Sequence, residues 1–221
     1  MSVPALVIET FVDGSFGENA YVVSTSDKGE HRVGWVIDPS FPPQVDELLA
    51  YVEGQQIALE KVILTHGHVD HVAGVDAVRA AHPQAALLLG AGDQAMLGDT
   101  NLNLSAPFGL PMTIKARADG DLPPGAELTL GPWRWRVLDT SGHSAGGRSL
   151  YCPAAGVVLV GDALFSGSIG RTDLPGSDHG QLIRNIREQL LTLPSQTVVY
   201  CGHGETTTVG KERKFNPFLS D

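Results

Sequence analysis

The sequence concentrates potential metal ligands between positions 66 and 71. Three histidines and one aspartate lie within these six positions, as His66, His68, Asp70 and His71. Imidazole and carboxylate groups are ligands that zinc, iron and manganese accept in proteins. A lone histidine is more often a surface or core residue than a ligand. A cluster of this density, directly after an apolar run, predicts a metal site.

The spacing within the cluster indicates how its ligands are positioned. Residues 61–65 are a short apolar run of strand length, so His66 and His68 leave the end of a strand, where residues two apart point the same way. Gly67 lets the chain bend tightly between them. The aspartate and the third histidine lie at the start of a helix predicted over 72–81, and they point elsewhere. Two pairs of ligands with two directions favour two metal ions over one.

Three further motifs, each after a strand-like run, contain a histidine or an aspartate. They are Ser141-Gly142-His143-Ser144, Val160-Gly161-Asp162 and Cys201-Gly202-His203-Gly204. With the first cluster they resemble, in this order, the motifs of the metallo-β-lactamase-fold hydrolases, and most of all those of the short glyoxalase II-like proteins. The resemblance spans nearly the whole chain. We interpret the remaining histidines, His31, His82 and His179, as structural.

The resemblance implies a ligand set for two divalent metal ions. The first ion would be held by His66, His68 and His143, the second by Asp70, His71 and His203, and both by a bridging Asp162. Each ion keeps an open position, as a catalytic site requires, and a water between two cations is acidified enough to attack a carbonyl group. We therefore expect Asp70 and Asp162 to be the catalytic carboxylates. Zinc is the expected metal, with iron and manganese as alternatives.

The resemblance also implies the fold, which is an α/β four-layer αβ/βα sandwich. We expect residues 1–221 to form this single domain, without the C-terminal helical domain of full-length glyoxalase II. The composition agrees, because 221 residues with 42% hydrophobic and 18% charged residues are compatible with one sizeable α/β core.

Local patterns predict strands and helices in both halves of the chain. The predicted strands are 5–11, 20–25, 32–38, 61–65, 85–89, 126–130, 133–139, 149–151 and 157–160, and the predicted helices are 44–53, 72–81, 92–98 and 177–193. Ser177 or Asp178 is the expected cap of the last helix. Residues 99–111 lose periodicity and predict a long loop. Its apolar side chains either line a substrate pocket or, as is commoner, pin the loop to the core; they are Leu102, Leu104, Phe108 and Leu110.

Basic residues in the second half are candidates for substrate contacts. Arg171, in Gly170-Arg171-Thr172-Asp173, falls where glyoxalase II sequences carry a basic residue that meets a glutathione carboxylate, and a guanidinium can grip a carboxylate with two parallel hydrogen bonds. An ion pair with Asp173 is the alternative role. Lys211 and Arg213, with Lys214, either replace contacts of the missing helical domain or form a solvated helix face.

Charge and cysteine content restrict the partners and the compartment. The net charge of -10 argues against a nucleic acid as partner, because phosphate binding needs clusters of lysine and arginine. The N-terminal residues carry no pattern of a signal peptide or membrane span, so we expect a cytoplasmic protein without membrane attachment. Cys152 and Cys201 lack a Cys-x-x-Cys spacing, and we expect both to be reduced, buried thiols. The sequence does not predict the oligomeric state.

Together, these features predict a hydrolase of the glyoxalase II type that cleaves S-lactoylglutathione or a similar small-molecule thioester. A thiolate leaves without help from a general acid, and a metal-activated water needs no nucleophilic side chain beside it. One alternative is a persulfide dioxygenase with a single iron held by His66, His143 and Asp162. The other is a different hydrolase on the same fold, such as a lactonase or phosphodiesterase. Asp162 argues against a β-lactamase, whose sequences usually carry another residue at that position.

Overall fold

The computed structural model describes residues 5–26 and 32–220, which form thirteen strands and five α-helices. The strands are β1 (Ala5–Val12), β2 (Asn19–Ser26), β3 (Arg32–Ile37), β4 (Ile57–Leu64), β5 (Ala86–Leu89), β6 (Glu127–Leu130), β7 (Trp133–Asp139), β8 (Arg148–Cys152), β9 (Val157–Gly161), β10 (Leu164–Phe165), β11 (Ser168–Ile169), β12 (Val198–Cys201) and β13 (Thr207–Thr208). The helices are α1 (Gln44–Gly54), α2 (Val69–Val72), α3 (Val75–Ala81), α4 (His179–Asn185) and α5 (Val209–Phe215), with a 3₁₀ helix at Ala91–Gly98 and a π-helical turn at Ile186–Leu190.

The first sheet contains β1 to β5 in sequence order. Strands β1, β2 and β3 pair antiparallel, whereas β3, β4 and β5 run parallel. Parallel strands end at the same edge of a sheet, so the residues that follow Ile37 and Leu64 are brought side by side. The first histidine cluster begins at this edge.

The second sheet has the order β13-β12-β9-β8-β7-β6, and the strands β10 and β11 form a separate small ribbon. Within the six-stranded second sheet, β9 and β12 pair in parallel, and Gly161 is aligned with Cys201 at their ends. The segments that contain Asp162 and His203 therefore leave this sheet from adjacent positions.

Three apolar clusters show how these elements stack. One packs the first sheet against the helices α1 to α3, with Leu48 and Val75 fully buried. A second lies between the two sheets, where the rings of Trp35 and Trp135 are 5.9 Å apart. The third packs the second sheet against α4 and α5, with Leu182 fully buried. Helix, sheet, sheet and helix form four layers, which confirms the predicted αβ/βα sandwich.

The helix predicted over 72–81 is interrupted, which is a correction to the sequence prediction. Asp70 and His71 lie inside the one-turn helix α2, and α3 begins only at Val75. The backbone N–H of Gly74 donates to the carbonyl of Pro39 at 2.9 Å, and a side chain at position 74 would meet the neighbouring backbone. This packing against the segment after β3 reorients the chain between the two helices.

The helix predicted over 177–193 is also shorter and less regular. Helix α4 begins after Asp178, whose side chain accepts a hydrogen bond from the backbone of Gln181 at 2.8 Å. One face of the helix is apolar, since Leu182, Ile186 and Leu190 are fully buried, but a π-helical turn continues the chain beyond residue 185. Among the described residues, no helix has the length and apolar character needed to cross a bilayer.

The predicted loop over 99–111 is confirmed as a segment of turns that packs beside the first histidine cluster. The backbone N–H of Val69 donates to the carbonyl of Asn103 at 2.9 Å, and the side-chain amide of Asn103 donates to the carbonyl of Met112. Leu104 is buried, whereas Leu102 and Leu110 are 41% and 48% exposed. The loop is therefore pinned at one end and presents apolar side chains at the other.

Candidate metal centre

The ends of three strands, one loop and one short helix bring seven predicted ligands to one edge of the sandwich. His66 and His68 follow β4, Asp162 follows β9, and His203 follows β12, whereas His143 lies in the loop between β7 and β8. Short α2 supplies the remaining aspartate and histidine from one helical turn. Because each half of the chain contributes ligands, the site exists only when the two sheets are packed together.

The first set of ligands is a group of three buried imidazoles. His66, His68 and His143 each offer one ring nitrogen within 4.8 Å of the other two. The Nε2 atom of His143 lies 2.9 Å from Nδ1 of His68. All three side chains are at most 5% exposed. This arrangement matches a three-histidine site for a divalent metal ion.

The second set combines one carboxylate with two imidazoles. Asp70, His71 and His203 also place one ligand atom each within 4.8 Å of the others. The Oδ2 atom of Asp70 is 3.3 Å from Nε2 of His203 and 3.8 Å from Nε2 of His71. This set is more open than the first, because the His203 side chain is 28% exposed.

Asp162 lies between the two sets. One of its carboxylate oxygens is 3.3 Å from Nε2 of His71, and the other is 3.7 Å from Nε2 of His143 and 3.5 Å from Nε2 of His203. A side chain at Gly202 would collide with this carboxylate. The backbone there leaves room only for a glycine, so the carboxylate can approach both sets.

The polar atoms of the site indicate that it is built for metal ions. Nε2 of His66, Nε2 of His71 and Oδ1 of Asp162 are buried and lack a hydrogen-bond partner among the described residues. Buried polar atoms without partners are costly, and these three all face the centre of the cluster. Lone pairs of imidazole and carboxylate aimed at one point fit a divalent cation.

Asp38 holds ligands of both sets in place, and sequence reasoning did not identify it. Its carboxylate accepts hydrogen bonds from the backbone and hydroxyl of Thr65 at 2.7 and 2.6 Å, and from Nδ1 of His71 at 3.0 Å. The Thr65 hydroxyl lies 3.1 Å from Nδ1 of His66. Asp38 could itself approach a cation together with His66 and His71, but three hydrogen bonds occupy its oxygens. We therefore assign it to ligand orientation.

A second supporting carboxylate, Asp93, joins the loops that contain the first set. It is fully buried and accepts hydrogen bonds from the backbone of Gly67, the hydroxyl of Ser144 and the backbone of Gly146 at 3.1, 2.7 and 2.6 Å. Burial raises the pKa of the Asp93 carboxyl despite these bonds. Nothing in the local sequence marks this residue, because its partners are 26 to 53 positions away.

Backbone carbonyls hold a ring nitrogen in two further ligands, His143 and His203. Nδ1 of His143 donates to the carbonyl of Arg171 at 2.8 Å, and Nδ1 of His203 donates to the carbonyl of Phe16 at 3.2 Å. Both bonds fix the tautomer that leaves Nε2 free toward the centre.

Local electrostatics divide the histidines into two groups. Burial and neighbouring imidazoles lower the pKa of His66 well below its usual value and that of His68 to about 3. Burial also opposes charge on His71, but Asp162 and Asp70 outweigh it and raise its pKa well above the usual value. For His203, burial is likewise outweighed, by the nearby carboxylates of Asp162 and Asp70, and its pKa rises to about 9. The imidazoles of His66 and His68 therefore favour the neutral form, whereas those of His71 and His203 favour positive charge.

Each residue predicted to bind substrate forms hydrogen bonds to other groups of the chain. Arg171 makes two hydrogen bonds to Asp173, at 2.7 and 2.8 Å, and both side chains are exposed. Lys211 donates to the hydroxyl of Ser166 at 2.9 Å. Arg213 donates to the carbonyls of Leu191 and Leu193. All of these contacts are within the chain. The roles of the three residues in substrate binding therefore stay predictions.

The remaining histidines and cysteines of the described residues belong to neither ligand set. His82 is partly buried, and exposed His179 lies 3.1 Å from the hydroxyl of Thr172. His31 lies outside the described residues. Cys152 and Cys201 are both buried and free, as predicted, and burial raises the pKa of the Cys201 thiol to about 12.

Comparison with known families identifies the fold and the general chemistry. The model of the Metallo-beta-lactamase superfamily matches residues 13–203. The chain belongs to the metallo-beta-lactamase superfamily. It is 36% identical to the probable metallo-hydrolase YqgX of Bacillus subtilis over 208 residues, covering 94% of each chain. It is 32% identical to the hydroxyacylglutathione hydrolase GloC of Haemophilus influenzae over 192 residues, covering 84% of this chain and 86% of that one.

Solved structures of superfamily members agree with this assignment. The BLEG-1 B3 metallo-beta-lactamase superposes with a TM-score of 0.90 at 36% identity, covering 97% of this chain and all of that one. TTHA1623, in a di-iron-bound form, gives 0.78 at 33% identity, with 99% and 100% covered. ETHE1 from Myxococcus xanthus gives 0.75 at 26% identity, with 96% and 83% covered. The chain is thus a metallo-hydrolase of this superfamily with clusters able to bind metal ions.

Proposed function

We propose that the chain is a dinuclear thioester hydrolase of the glyoxalase II type, which cleaves S-lactoylglutathione or a related thioester to an acid and a thiol. The observation that carries the proposal is the position of Asp162, within 3.7 Å of ligand atoms from both sets. Similarity to GloC supports the substrate class. We further propose that the thioester is a cytoplasmic metabolite and that no nucleic acid or membrane partner takes part.

The residues would divide the work as follows. His66, His68 and His143 would hold one divalent ion, and Asp70, His71 and His203 the other, with Asp162 shared. When bound, the ions would acidify a water for attack on the thioester carbonyl and stabilise the oxyanion that develops. Asp38 and the carbonyls of Arg171 and Phe16 keep the imidazoles in the required tautomers. Zinc is the proposed metal, with iron or manganese as alternatives.

Asp162 and Asp70 have a second role as the negative charges of the site. Together with Asp38 and Glu18 they surround fully buried His71, and Asp162 stays ionised because His71 lowers the pKa of its carboxyl despite burial. Two carboxylates offset part of the charge of two divalent ions. The centre then keeps enough positive charge to attract the anionic carboxylates of a glutathione thioester.

Two observations favour specific alternatives. Similarity to ETHE1, together with the Gly170–Asp173 motif, keeps open a persulfide dioxygenase that uses one iron held by His66, His143 and Asp162. Similarity to the BLEG-1 lactamase requires that β-lactams be included among the substrates tested. A lactonase or phosphodiesterase remains the third class to test.

The experiment that tests the proposal combines metal content with a substrate panel. Elemental analysis of the purified protein is run beside hydrolysis of S-lactoylglutathione, a lactone, a phosphodiester and a β-lactam, with oxygen uptake measured in the presence of glutathione persulfide. We expect about two metal ions per chain, thioester cleavage and no oxygen uptake. One iron per chain with oxygen uptake would contradict the hydrolase and support the dioxygenase. Preferential turnover of the lactone, the phosphodiester or the β-lactam would contradict the thioester as the substrate class.

A further inference from the structure

An apolar cleft of about 550 Å³ lies beside the second ligand set. Its apolar walls come from three segments: the turn between β1 and β2, the segment that precedes α1, and the end of the 99–112 loop. The residues are Phe16, Phe41, Pro42, Leu110, Pro111 and Met112. A volume of this size is typical of small-molecule sites.

The cleft is connected to the metal centre through one residue. The carbonyl of Phe16 accepts the hydrogen bond from Nδ1 of His203, and the ring of Phe16 forms part of the cleft wall. Because Nε2 of the same imidazole faces Asp70 and Asp162, one histidine ring separates the cleft from the centre. Phe16 therefore places the cleft next to the second ligand set.

The walls are aromatic and are held in place before any ligand binds. The rings of Phe16 and Phe41 stack at 5.5 Å, and Phe108 meets Phe16 edge-on at 5.7 Å. The buried carboxylate of Asp13 accepts hydrogen bonds from the backbone of Ser15 and Phe16, which fixes the turn. Preformed walls reduce the conformational entropy that a ligand must remove on binding.

The loop side of the cleft is equally well supported. The hydroxyl of Ser105 contacts the backbone of Met112 on both its donor and acceptor sides, at 3.1 and 3.0 Å, and the backbone of Leu110 donates to the Ser105 carbonyl at 2.8 Å. Leu110 nevertheless stays 48% exposed, and Phe108 50%. Apolar side chains held open in this way mark a binding surface.

The two ends of the metal centre differ in character. Arg171, the candidate for contact with a glutathione carboxylate, is attached through its carbonyl to His143 in the first set. The cleft is attached through Phe16 to His203 in the second set, and its eight described lining residues are all uncharged. A charged thiol portion fits the first end, and a carbon-rich acyl portion fits the second.

We propose that this cleft binds the acyl group of the thioester, so that the preferred substrates carry apolar acyl chains of several carbons rather than a short hydroxyacyl group. This inference rests on the proposed thioester hydrolysis for its orientation. The cleft itself does not depend on that chemistry, and binding to it can be measured separately.

The kinetic test uses glutathione thioesters with acetyl, butanoyl, hexanoyl and octanoyl groups. Burial of each methylene stabilises a complex enough to raise kcat/KM by up to about fourfold. We expect kcat/KM to rise along the series in the wild-type protein. Leu110→Asp should remove most of the rise.

Leu102→Asp is the matched control. Leu102 lies on the same loop with similar exposure, 41% against 48%, and does not line the cleft. The control should retain the wild-type dependence on chain length. Circular dichroism and thermal unfolding of both variants confirm that they fold, and Leu110→Ala provides a milder change should the aspartate destabilise the loop.

The binding test needs no turnover. Calorimetric titration of the metal-loaded protein with sodium acetate and sodium octanoate should show at least tenfold tighter binding of octanoate, with the difference lost in Leu110→Asp and kept in Leu102→Asp. Thioester cleavage without chain-length dependence, and equal binding of both acids, would overturn the acyl cleft but leave the hydrolase. Octanoate binding that requires Leu110, without cleavage of any thioester, would overturn the hydrolase but leave the cleft.

Discussion

At the scale of single residues, the chain separates metal ligation from ligand orientation. Seven side chains offer lone pairs to the centre, and Asp38, Thr65 and two backbone carbonyls hold the opposite nitrogens of four of the five imidazoles. Asp162 is the ligand on which both sets depend. Its neighbours in space are histidines with opposite pKa shifts, His66 lowered and His71 raised.

Asp162→Ala should remove both bound metal and activity. The substitution deletes the oxygens that approach both sets, so each ion loses a ligand and the histidines lose a negative partner. We expect metal content to fall from about two ions per chain to less than one and kcat/KM to fall at least about a thousandfold, as is seen when a group central to the transition state is removed. Elemental analysis and thioester hydrolysis provide the readouts. Asp46→Ala, on the exposed face of α1, is the control, and a variant that keeps metal and activity would contradict the bridging role.

Asp38→Asn should weaken metal binding without removing a ligand. Asparagine tolerates the positive φ of 50° at this position and keeps one acceptor for the backbone of Thr65. The amide that replaces the second oxygen faces the His71 N–H, so the ring loses its acceptor. Loss of such a partner lowers metal affinity by about 10- to 100-fold. Competition with a chromogenic chelator measures the change, with Asp46→Asn as control, and an unchanged affinity would restrict Asp38 to a structural role.

Arg171→Ala should chiefly raise KM for a glutathione thioester. If the guanidinium exchanges Asp173 for a substrate carboxylate, its removal weakens ground-state binding while kcat changes little. Asp173→Ala is the informative control, because it removes the ion pair and leaves the arginine free for substrate. An unchanged KM in Arg171→Ala, measured with S-lactoylglutathione, would leave the arginine with only its pair to Asp173.

At the scale of elements, the ends of strands place most metal ligands at one edge of the sandwich, and short irregular segments set the direction of their side chains. Strands were predictable because periodicity is local, as in β7, whose observed bounds equal the predicted ones. The break between α2 and α3 was not, because it depends on packing of Gly74 against the segment after β3. The roles of Asp38 and Asp93 were missed for the same reason. The position of Asp38 after β3, beside the strand that precedes His66, is a signal that could have identified it.

Asp93→Asn should destabilise the loops that contain the first ligand set. The carboxylate accepts from two backbone N–H groups and one hydroxyl, whereas an amide nitrogen cannot accept any of these bonds. A buried donor left without a partner costs about 1–3 kcal/mol, and we expect the free energy of unfolding to fall by that amount. Urea denaturation of the metal-free protein measures it. Asp46→Asn controls for loss of charge, and equal stability of the two variants would show that water replaces the lost acceptor.

At the scale of the whole molecule, the metal centre joins the two sheets. His66, His68, Asp70 and His71 come from the first half, and the other three ligands come from the second. Bound metal should therefore stabilise the packing of the sheets as a crosslink between halves, in proportion to its affinity for the folded state. The order of the ligands along the chain was visible in the sequence, whereas the charge state of each set depends on burial and required the structure.

This charge difference predicts two metal sites with different pH dependence. In the metal-free protein His203, with a pKa of about 9, and His71, with a raised pKa, hold protons at neutral pH, so a cation must displace them. Affinity of the second set should therefore rise as pH increases toward about 9. His66 and His68 have lowered pKa values, near 3 for His68, and are already neutral in this range. These two ligands should therefore add little pH dependence to metal binding by the first set.

Zinc titration calorimetry of chelator-treated protein, in buffers of different ionisation enthalpy, checks this directly. We expect about one zinc ion bound tightly at pH 6 and two at pH 8.5, with protons released mainly by the second ion. The raised pKa of His203 also stabilises the metal-free fold below about pH 6.5, and that contribution is lost as pH rises through about 9. The gain in melting temperature on adding zinc should therefore be larger at pH 8.5 than at pH 6. Two ions with the same pH dependence would mean that the carboxylates around His71 do not keep it protonated in solution.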